Sequence, residues 1–291
     1  MQGILLAGGL GTRLAPLTLA TSKQLLPVYD KPTVFYPLAT LMSSGIREIA
    51  LITTPTQGAL FRDLLGDGNR FGIEIKYFTQ EKPNGLAESF LITKNFIKGK
   101  KVGLILGDNI FHGSGLGGEL RKYSEIEGAQ IFGYRVSNPA EYGVLEVDEA
   151  GKVLSLEEKP TYPKSNYAIP GLYFYDEMVL EYASSIEPSQ RGELEITAVN
   201  ECYLNSGKLK ATILPRGTAW FDTGSVDSLL DASNYVRVIE QRQNLKIACL
   251  EEIAWRQKWI SDEEMERASI YFRYSSYGEY LKSLLIPDKF C

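Results

Sequence analysis

The stretch Gly8-Gly9-Leu10-Gly11-Thr12-Arg13-Leu14 follows directly on the apolar run Ile4-Leu5-Leu6-Ala7, and Ser22-Lys23-Gln24-Leu25-Leu26-Pro27 comes soon after. A strand that runs into glycines leaves backbone N–H groups open to an anion. Arg13 and Lys23 add two positive charges beside them, and the combination suits a polyphosphate. Spacing excludes two common phosphate loops. A Walker A loop needs Gly-Lys-Ser/Thr, which occurs nowhere in the chain. A dinucleotide fingerprint needs a third glycine where Leu14 stands, and Pro16 opposes the helix that should follow at once. On the glycines alone, a tight turn is the competing reading.

Two acids stand in similar settings. Leu104-Ile105-Leu106-Gly107-Asp108-Asn109 puts Asp108 just past the end of a buried strand. Ligands of open α/β sheets gather outside those ends. A Mg²⁺ ion bound to a triphosphate takes one or two carboxylates and keeps several waters. Trp220-Phe221-Asp222-Thr223-Gly224-Ser225 repeats the pattern of apolar run, acid and glycine before a helix start. Either acid could instead cap a turn or a helix. His112, the only histidine, reads as a turn residue near a strand end rather than a general base.

The longer string Gly9-x-Gly11-Thr12-Arg13-Leu14-x-Pro16-Leu17-Thr18, followed by Ser22-Lys23-Gln24-Leu25-Leu26-Pro27-Val28-Tyr29-Asp30-Lys31-Pro32, resembles the signature of the sugar-1-phosphate nucleotidylyltransferases. The Lys23–Pro32 block is most similar to their thymidylyl-transferring branch, and the likeness runs along essentially the whole chain. It implies transfer of a thymidylyl group from dTTP to glucose 1-phosphate, giving dTDP-glucose and pyrophosphate. The nucleotide would lie on Gly8, Gly9, Gly11, Thr12, Arg13, Lys23 and Gln24. The loop Gln80-Glu81-Lys82-Pro83-Asn84-Gly85 resembles the base-binding loop. There the Gln80 amide can pair with the donor–acceptor edge of thymine or uracil, and Gly85 lets the backbone approach the ring.

On the sugar side, Glu141-Tyr142-Gly143-Val144 resembles the family's sugar loop. Tyr142 offers a flat apolar face and Gly143 a close backbone approach; the plain alternative is a turn leading into a strand. In Glu157-Glu158-Lys159-Pro160 the resemblance makes Glu158 a partner of sugar hydroxyls and Lys159 a partner of the sugar phosphate. Without it, this charge cluster reads as a solvated turn. Asn109 and Ile169 would line the same pocket. The family often has Thr where Pro170 stands, and Leu10 and Ala15 depart from its usual opening. The resemblance also makes Asp108 and Asp222 joint ligands of one Mg²⁺ ion.

The implied chemistry is in-line displacement at the α-phosphorus, governed by positioning and charge. Arg13 serves the leaving pyrophosphate, Lys23 shares the nucleotide phosphates, and Lys159 orients the attacking phosphate. Together with Asp108 they form the expected catalytic set. Thymine and uracil differ by one methyl group, worth only ~1–3 kcal/mol of discrimination. A UTP-using uridylyltransferase is therefore the nearest alternative. A catalytically inactive nucleotide-sugar sensor is a second, and the intact set of charged residues speaks against it.

The elements that must position these residues are legible in outline. Apolar runs at Gly3–Ala7, Glu48–Thr53, Ile73–Thr79 and Lys101–Gly107 alternate with helical patterns at Val34–Ser43, Gln57–Leu65 and Leu86–Ile97. Pro37 makes the first of these helices uncertain. The order predicts an α/β fold, a Rossmann-like and mostly parallel sheet flanked by helices, over residues 1–128. Short strands at Ala129–Val136, Gly143–Val147, Val153–Glu158 and Ala168–Tyr175 predict a mixed-sheet sugar-binding insertion beside that core, with Ala150-Gly151 as a hairpin turn. Lys208–Leu214 and Ala219–Phe221 are expected to return to that region, and residues 129–224 as a whole hold the sugar-binding part and the return to the core. Residues 225–291 read as helical, with clear segments at Asp227–Gln241 and Ser261–Ser269 and a capping box from Ser261 to Glu264. All three parts belong to a single domain.

The chain of 291 residues is 44% hydrophobic, 23% charged and carries a net charge of −5, which disfavours nucleic-acid binding. No apolar run approaches a membrane span, and no signal peptide is expected ahead of the first strand. Cys202, Cys249 and Cys291 are scattered, so a reducing cytoplasm is the simplest setting. The resemblance further implies a homotetramer with subunit contacts near the aromatic C-terminal helices. It also implies a second site for a deoxysugar nucleotide end product, carried over onto Arg216, Glu252 and Arg256. Glu252 and Arg256 are one helical turn apart, so an ordinary ion pair explains them too.

Overall fold

The computed structural model describes residues 1–9 and 11–286, so Leu10 and Cys291 lie outside the described residues. In chain order the strands are β1 (Gln2–Ala7), β2 (Pro27–Val28), β3 (Lys31–Pro32), β4 (Glu48–Thr53), β5 (Glu74–Thr79), β6 (Val102–Leu106) and β7 (Asn109–His112). They continue with β8 (Ala129–Arg135), β9 (Gly143–Val147), β10 (Val153–Glu158), β11 (Tyr167–Ala168), β12 (Leu172–Tyr175), β13 (Leu209–Ile213) and β14 (Ala219–Asp222).

β6, β1, β4 and β5 pair in parallel, the register running Gly3 to Ile49 on one side of β1 and Gly3 to Gly103 on the other. Every residue of β1 is buried, as a central parallel strand covered on both faces requires. Its side chains alternate between two cores. Leu5 and Ala7 join Phe61, Ile105 and Phe174 on one face, while Ile4 and Leu6 join Phe90, Leu104 and Tyr175 on the other. Each fully buried Leu or Ile in these layers contributes about 1.5–3 kcal/mol.

The helix over Phe35–Ser43 forms despite Pro37. Pro37 sits in the first turn, where a missing N–H costs no intrahelical bond. The pattern over Leu86–Ile97 divides into two short helices, Glu88–Ile92 and Lys94–Ile97, which meet at Thr93. The capping box from Ser261 to Glu264 is present and opens a helix over Asp262–Tyr271.

The mixed-sheet insertion continues the parallel core: among the described residues one ten-stranded sheet runs β10-β9-β11-β8-β12-β6-β1-β4-β5, with β13 beside β8. β12 makes the join, lying antiparallel to both β6 and β8. Ala168–Tyr175 is two strands rather than one. Pro170 has no N–H to give a ladder, and Leu172 N–H turns back to the Pro170 carbonyl at 2.8 Å. Finally, β14 does not return to the insertion. It pairs with β7 in a small sheet of its own, Asp222 opposite Asn109 and Ala219 opposite His112. His112 is therefore a strand residue, its Nδ1 2.7 Å from the Tyr235 hydroxyl.

Candidate active site

β1 ends at Ala7, and the glycine loop turns over the carboxyl ends of β1 and β6. The loop's glycines are explained by what lies against them. A Cβ at Gly8 would lie 2.8 Å from Gln80 Oε1, and one at Gly9 would lie 3.0 Å from Lys23 Cε. Gly11 takes a left-handed conformation (φ +65°) before a single 3₁₀ turn over Thr12–Leu14. Thr12 and Arg13 are exposed on that turn, while Leu14 anchors it in a core of its own with Leu26, Val28 and Ala232. A second 3₁₀ turn, Lys23–Leu25, is capped by Ser22. It aims Lys23 back at the loop and buries Gln24 beneath it, with Gln24 Cγ against Gly107.

Asp108 stands one residue past the end of β6, after Gly107, and is buried. Lys23 Nζ bonds its Oδ2, and Asn109 Nδ2 donates to its Oδ1 at 3.1 Å. Burial alone would raise the Asp108 carboxyl, but the Lys23 charge and these hydrogen bonds hold it below the usual carboxylate range. Its carbonyl accepts from Thr223 N–H at 3.0 Å and Thr223 Oγ1 at 2.9 Å. This backbone stitch fixes Asp108 beside the end of β14. Asp222 is the opposite case. Burial, then the Asp108 charge, pushes it up to about 6, while Lys23 and Arg13 pull it down. Neither acid is a helix cap: the helix over Val226–Gln243 is capped by Ser225.

Two carboxylates, one already balanced by a lysine and one raised by its neighbour, make a donor set short of positive charge. Among the described residues no cluster of three or more His, Cys, Asp or Glu could hold a metal. The pair therefore fits an ion that arrives with phosphate and water ligands better than one caged by protein.

A cleft lies beside Asp222, lined by Arg13 and Asp222 together with Asn109, Tyr142, Gly143, Glu158, Lys159 and Ile169. The Arg13 guanidinium lies beside Gly224, its Nη2 2.7 Å from where a Cβ would stand. Lys159 has φ +44°, a conformation unusual for a non-glycine residue, held by its N–H on the Tyr142 carbonyl at 3.0 Å. Tyr142 packs edge-on to Trp220, ring centroids 5.2 Å apart. Burial, then the Asp222 charge, raises its hydroxyl pKa. The Gly143 carbonyl accepts from Ile169 N–H at 2.8 Å. Glu158 accepts from Thr197 Oγ1 at 2.6 Å.

Lys23, Asp108, Gln24, Gln80 and Gly85 are outside the lining of this cleft. Gln80 reaches the loop through Gly8. Gly85 has a packing reason to be glycine. At φ +105° its Cβ position is filled by the Leu194 backbone, so the glycine is required by the chain's own packing. Arg216 sits in the turn between β13 and β14. Glu252 accepts from Arg256 Nε at 2.7 Å and from the Tyr280 hydroxyl at 2.6 Å. Among the described residues no hydrogen bond or ion pair links Arg216 to either.

Sequence reasoning missed Arg191, Thr197, Trp220 and Thr223. Arg191 Nη1 comes within 3.9 Å of Glu158 Oε1, from the charged segment Ser189–Glu195. Trp220 and Thr223 flank Asp222 in a run already singled out, and only the pairing of β14 with β7 reveals their work.

A glycine loop over parallel strand ends, two convergent aspartates and a cleft carrying a second lysine define an enzyme that acts on a nucleotide and a second anionic substrate. The chain belongs to the nucleotidyl transferase family, whose model matches residues 2–238. It is 56% identical over 285 residues to the glucose-1-phosphate thymidylyltransferase of Mycobacterium tuberculosis (strain ATCC 25618 / H37Rv), covering 98% of this chain and 99% of that one. It is 52% identical to the enzyme of the same name from Xanthomonas campestris pv. campestris (strain B100), covering 97% and 96%. Among solved structures it resembles a Bacillus anthracis protein described as a glucose-1-phosphate thymidylyltransferase, in complex with sucrose. The TM-score is 0.75 at 36% identity, covering 81% of this chain and 95% of that one. A UDP-glucose pyrophosphorylase shares the fold, with TM-score 0.73 at 23% identity over 82% of this chain and 98% of that one.

Proposed function

We infer that this chain transfers the thymidylyl group of dTTP to glucose 1-phosphate, releasing pyrophosphate and forming dTDP-glucose. The observation that carries the reading is the continuity of one cleft, from Arg13 and Asp222 to Lys159 and Glu158. A reacting phosphate held by Lys159 then faces a nucleotide phosphate held near Arg13. Near-full-length identity to enzymes of this name supports the choice of substrates.

Two anions must meet, so the barrier is chiefly repulsion. Lys159 holds the attacking phosphate at the mouth of the sugar pocket. Tyr142, Gly143, Ile169 and Glu158 seat the hexose, with Asn109 closing the inner wall. Gly8, Gly9, Gly11 and Thr12 bring backbone to the triphosphate, and Gln24 shapes the floor below. Lys23 shares the nucleotide phosphates. Arg13 stabilises the charge that grows on the leaving pyrophosphate. Family members use a divalent metal, and we take it to be a single Mg²⁺ ion. Asp108 and Asp222 would hold it, where it would reduce charge repulsion at the triphosphate. No covalent intermediate is invoked.

Pyrophosphate release tests this directly, with Mg²⁺, glucose 1-phosphate and dTTP or UTP supplied separately. Glucose-1-phosphate-dependent release with dTTP, exceeding that with UTP, is expected. Release that ignores the sugar phosphate would refute the transfer, and equal or better use of UTP would move the reading to a uridylyltransferase.

We also propose a homotetramer. Ile270 and Tyr271 are exposed at the end of the helix Asp262–Tyr271 and Tyr274 in the turn after it, apolar surface suited to subunit contact. Size-exclusion chromatography with light scattering measures the state. The regulatory role of Arg216, Glu252 and Arg256 is likewise a proposal, and Arg256→Ala should relieve inhibition by a deoxysugar nucleotide. No helix among the described residues is long and apolar enough to cross a membrane. Cys202 and Cys249 are unpaired thiols, in keeping with the reducing cytoplasm we propose as the setting.

A further inference from the structure

The Gln80 side chain is held at both of its N–H bonds. Nε2 donates to Glu88 Oε2 at 2.8 Å and to the Gly85 carbonyl at 3.2 Å. A carboxylate and a carbonyl are acceptors with no proton to give, so the amide cannot be turned over without losing both bonds. Its oxygen must then face the other way, toward Gly8 in the glycine loop. Glu88 is itself fixed, because its Oε1 accepts from Asn84 Nδ2 at 2.8 Å. Gln80 is 6% exposed, so little water competes for that oxygen.

With both N–H groups spent, Gln80 offers a ligand only the lone pairs of Oε1. Thymine and uracil present an N3–H donor between two carbonyls. Cytosine presents a bare acceptor at N3, and two lone pairs would then meet in a dry site. We propose that Glu88 is a positioning residue that determines base specificity: by fixing the direction of the Gln80 amide, it admits bases bearing N3–H and rejects cytosine. The inference rests on Gln80 being a base contact. It leaves thymine and uracil undivided, since both carry the donor.

The test is the ratio of kcat/KM for dTTP over dCTP, followed by pyrophosphate release. In Glu88→Leu only the Gly85 carbonyl, at 3.2 Å, still orients the amide, and the ratio should fall about tenfold, the worth of one hydrogen bond. Turnover at saturating dTTP and the KM for glucose 1-phosphate should stay near their starting values. Glu88→Gln still presents an oxygen to Gln80 and should keep the ratio. If Glu88→Leu fails to fold by circular dichroism, Glu88→Ala carries the same test. An unchanged ratio in the folded variant overturns the proposal. Gln80→Leu separates its basis: an unchanged KM for dTTP there would remove Gln80 from the base site. A raised KM with an unchanged Glu88→Leu ratio would sink only the orienting role.

Discussion

Asp222 stands opposite Asn109 in the antiparallel pair of β14 and β7, and so lies beside Asp108 although the two acids are far apart in the chain. The register alone creates the pair. The Thr223 hydroxyl and N–H, both on the Asp108 carbonyl, lock it. Lys23 satisfies one of the two acids, and the other keeps its proton to a higher pH than an ordinary aspartate.

That asymmetry sets a pH dependence in the metal-free protein. Asp222 titrates at about 6 when folded against a usual 3.8, so the folded protein binds this proton more tightly than the unfolded chain does. The resulting stabilisation is present below about pH 4 and is lost as pH rises through about 6. Metal binding requires the deprotonated form, so affinity should climb about tenfold per pH unit and then level off above about pH 6. Mn²⁺ titration followed by electron paramagnetic resonance should show this inflection, and Asp222→Asn should abolish it. A pH-independent affinity in the unaltered protein would remove Asp222 from the ligand set.

Arg13 is exposed on a turn anchored by Leu14, so its loss should spare the fold. Arg13→Ala is expected to lower kcat by about 10²–10³, the usual effect of removing one transition-state charge stabiliser. Because Arg13 also lowers the Asp222 pKa, the inflection in metal affinity should move upward in this variant. Steady-state kinetics and the same Mn²⁺ titration check both effects. Near-normal turnover would contradict the assigned role.

Gly85→Ala tests whether packing, rather than base approach, is why glycine stands there. Its Cβ would strike the Leu194 backbone, and φ +105° strains any other residue. The Leu194 segment is tied to this loop by Leu194 N–H to the Asn84 carbonyl at 2.7 Å and Ala87 N–H to the Leu194 carbonyl at 3.0 Å. A loss of about 1–3 kcal/mol in denaturant unfolding is expected, with a raised KM for dTTP. Unchanged stability would mean that the contact yields without cost.

The parallel strands and the glycine loop were legible because local pattern determines them: a buried run such as Ile4–Ala7 can hardly be anything else, and Arg13 and Lys23 are conspicuous beside it. Asp108 could be placed at a strand end for the same reason. What depends on pairing between distant segments was not legible. Nothing near Ala219–Phe221 announces β7 as its partner, so the strand was expected on the wrong sheet. Pro170 should have divided Ala168–Tyr175, since a residue without an N–H breaks a ladder. No local pattern around Arg191 points to Glu158, which its guanidinium approaches only in the folded chain.

Asn109 ties Asp108 to Trp220 and Gly171 in the wall of the cleft. Its Oδ1 accepts from Trp220 Nε1 at 2.7 Å and from Gly171 N–H at 3.0 Å, while Nδ2 holds Asp108 Oδ1. Asn109→Leu would leave two buried donors unpaired, each costing about 1–3 kcal/mol. Asn109→Asp would keep an acceptor for Trp220 and Gly171 but set a second negative charge against Asp108. The two variants should therefore fail differently. Asn109→Leu should lose stability in denaturant unfolding. Asn109→Asp should keep more of it at low pH, where the added acid is protonated, and lose it as pH rises. Equal behaviour of the two across pH would show that Asn109 fills space rather than holding Asp108, Gly171 and Trp220 through hydrogen bonds.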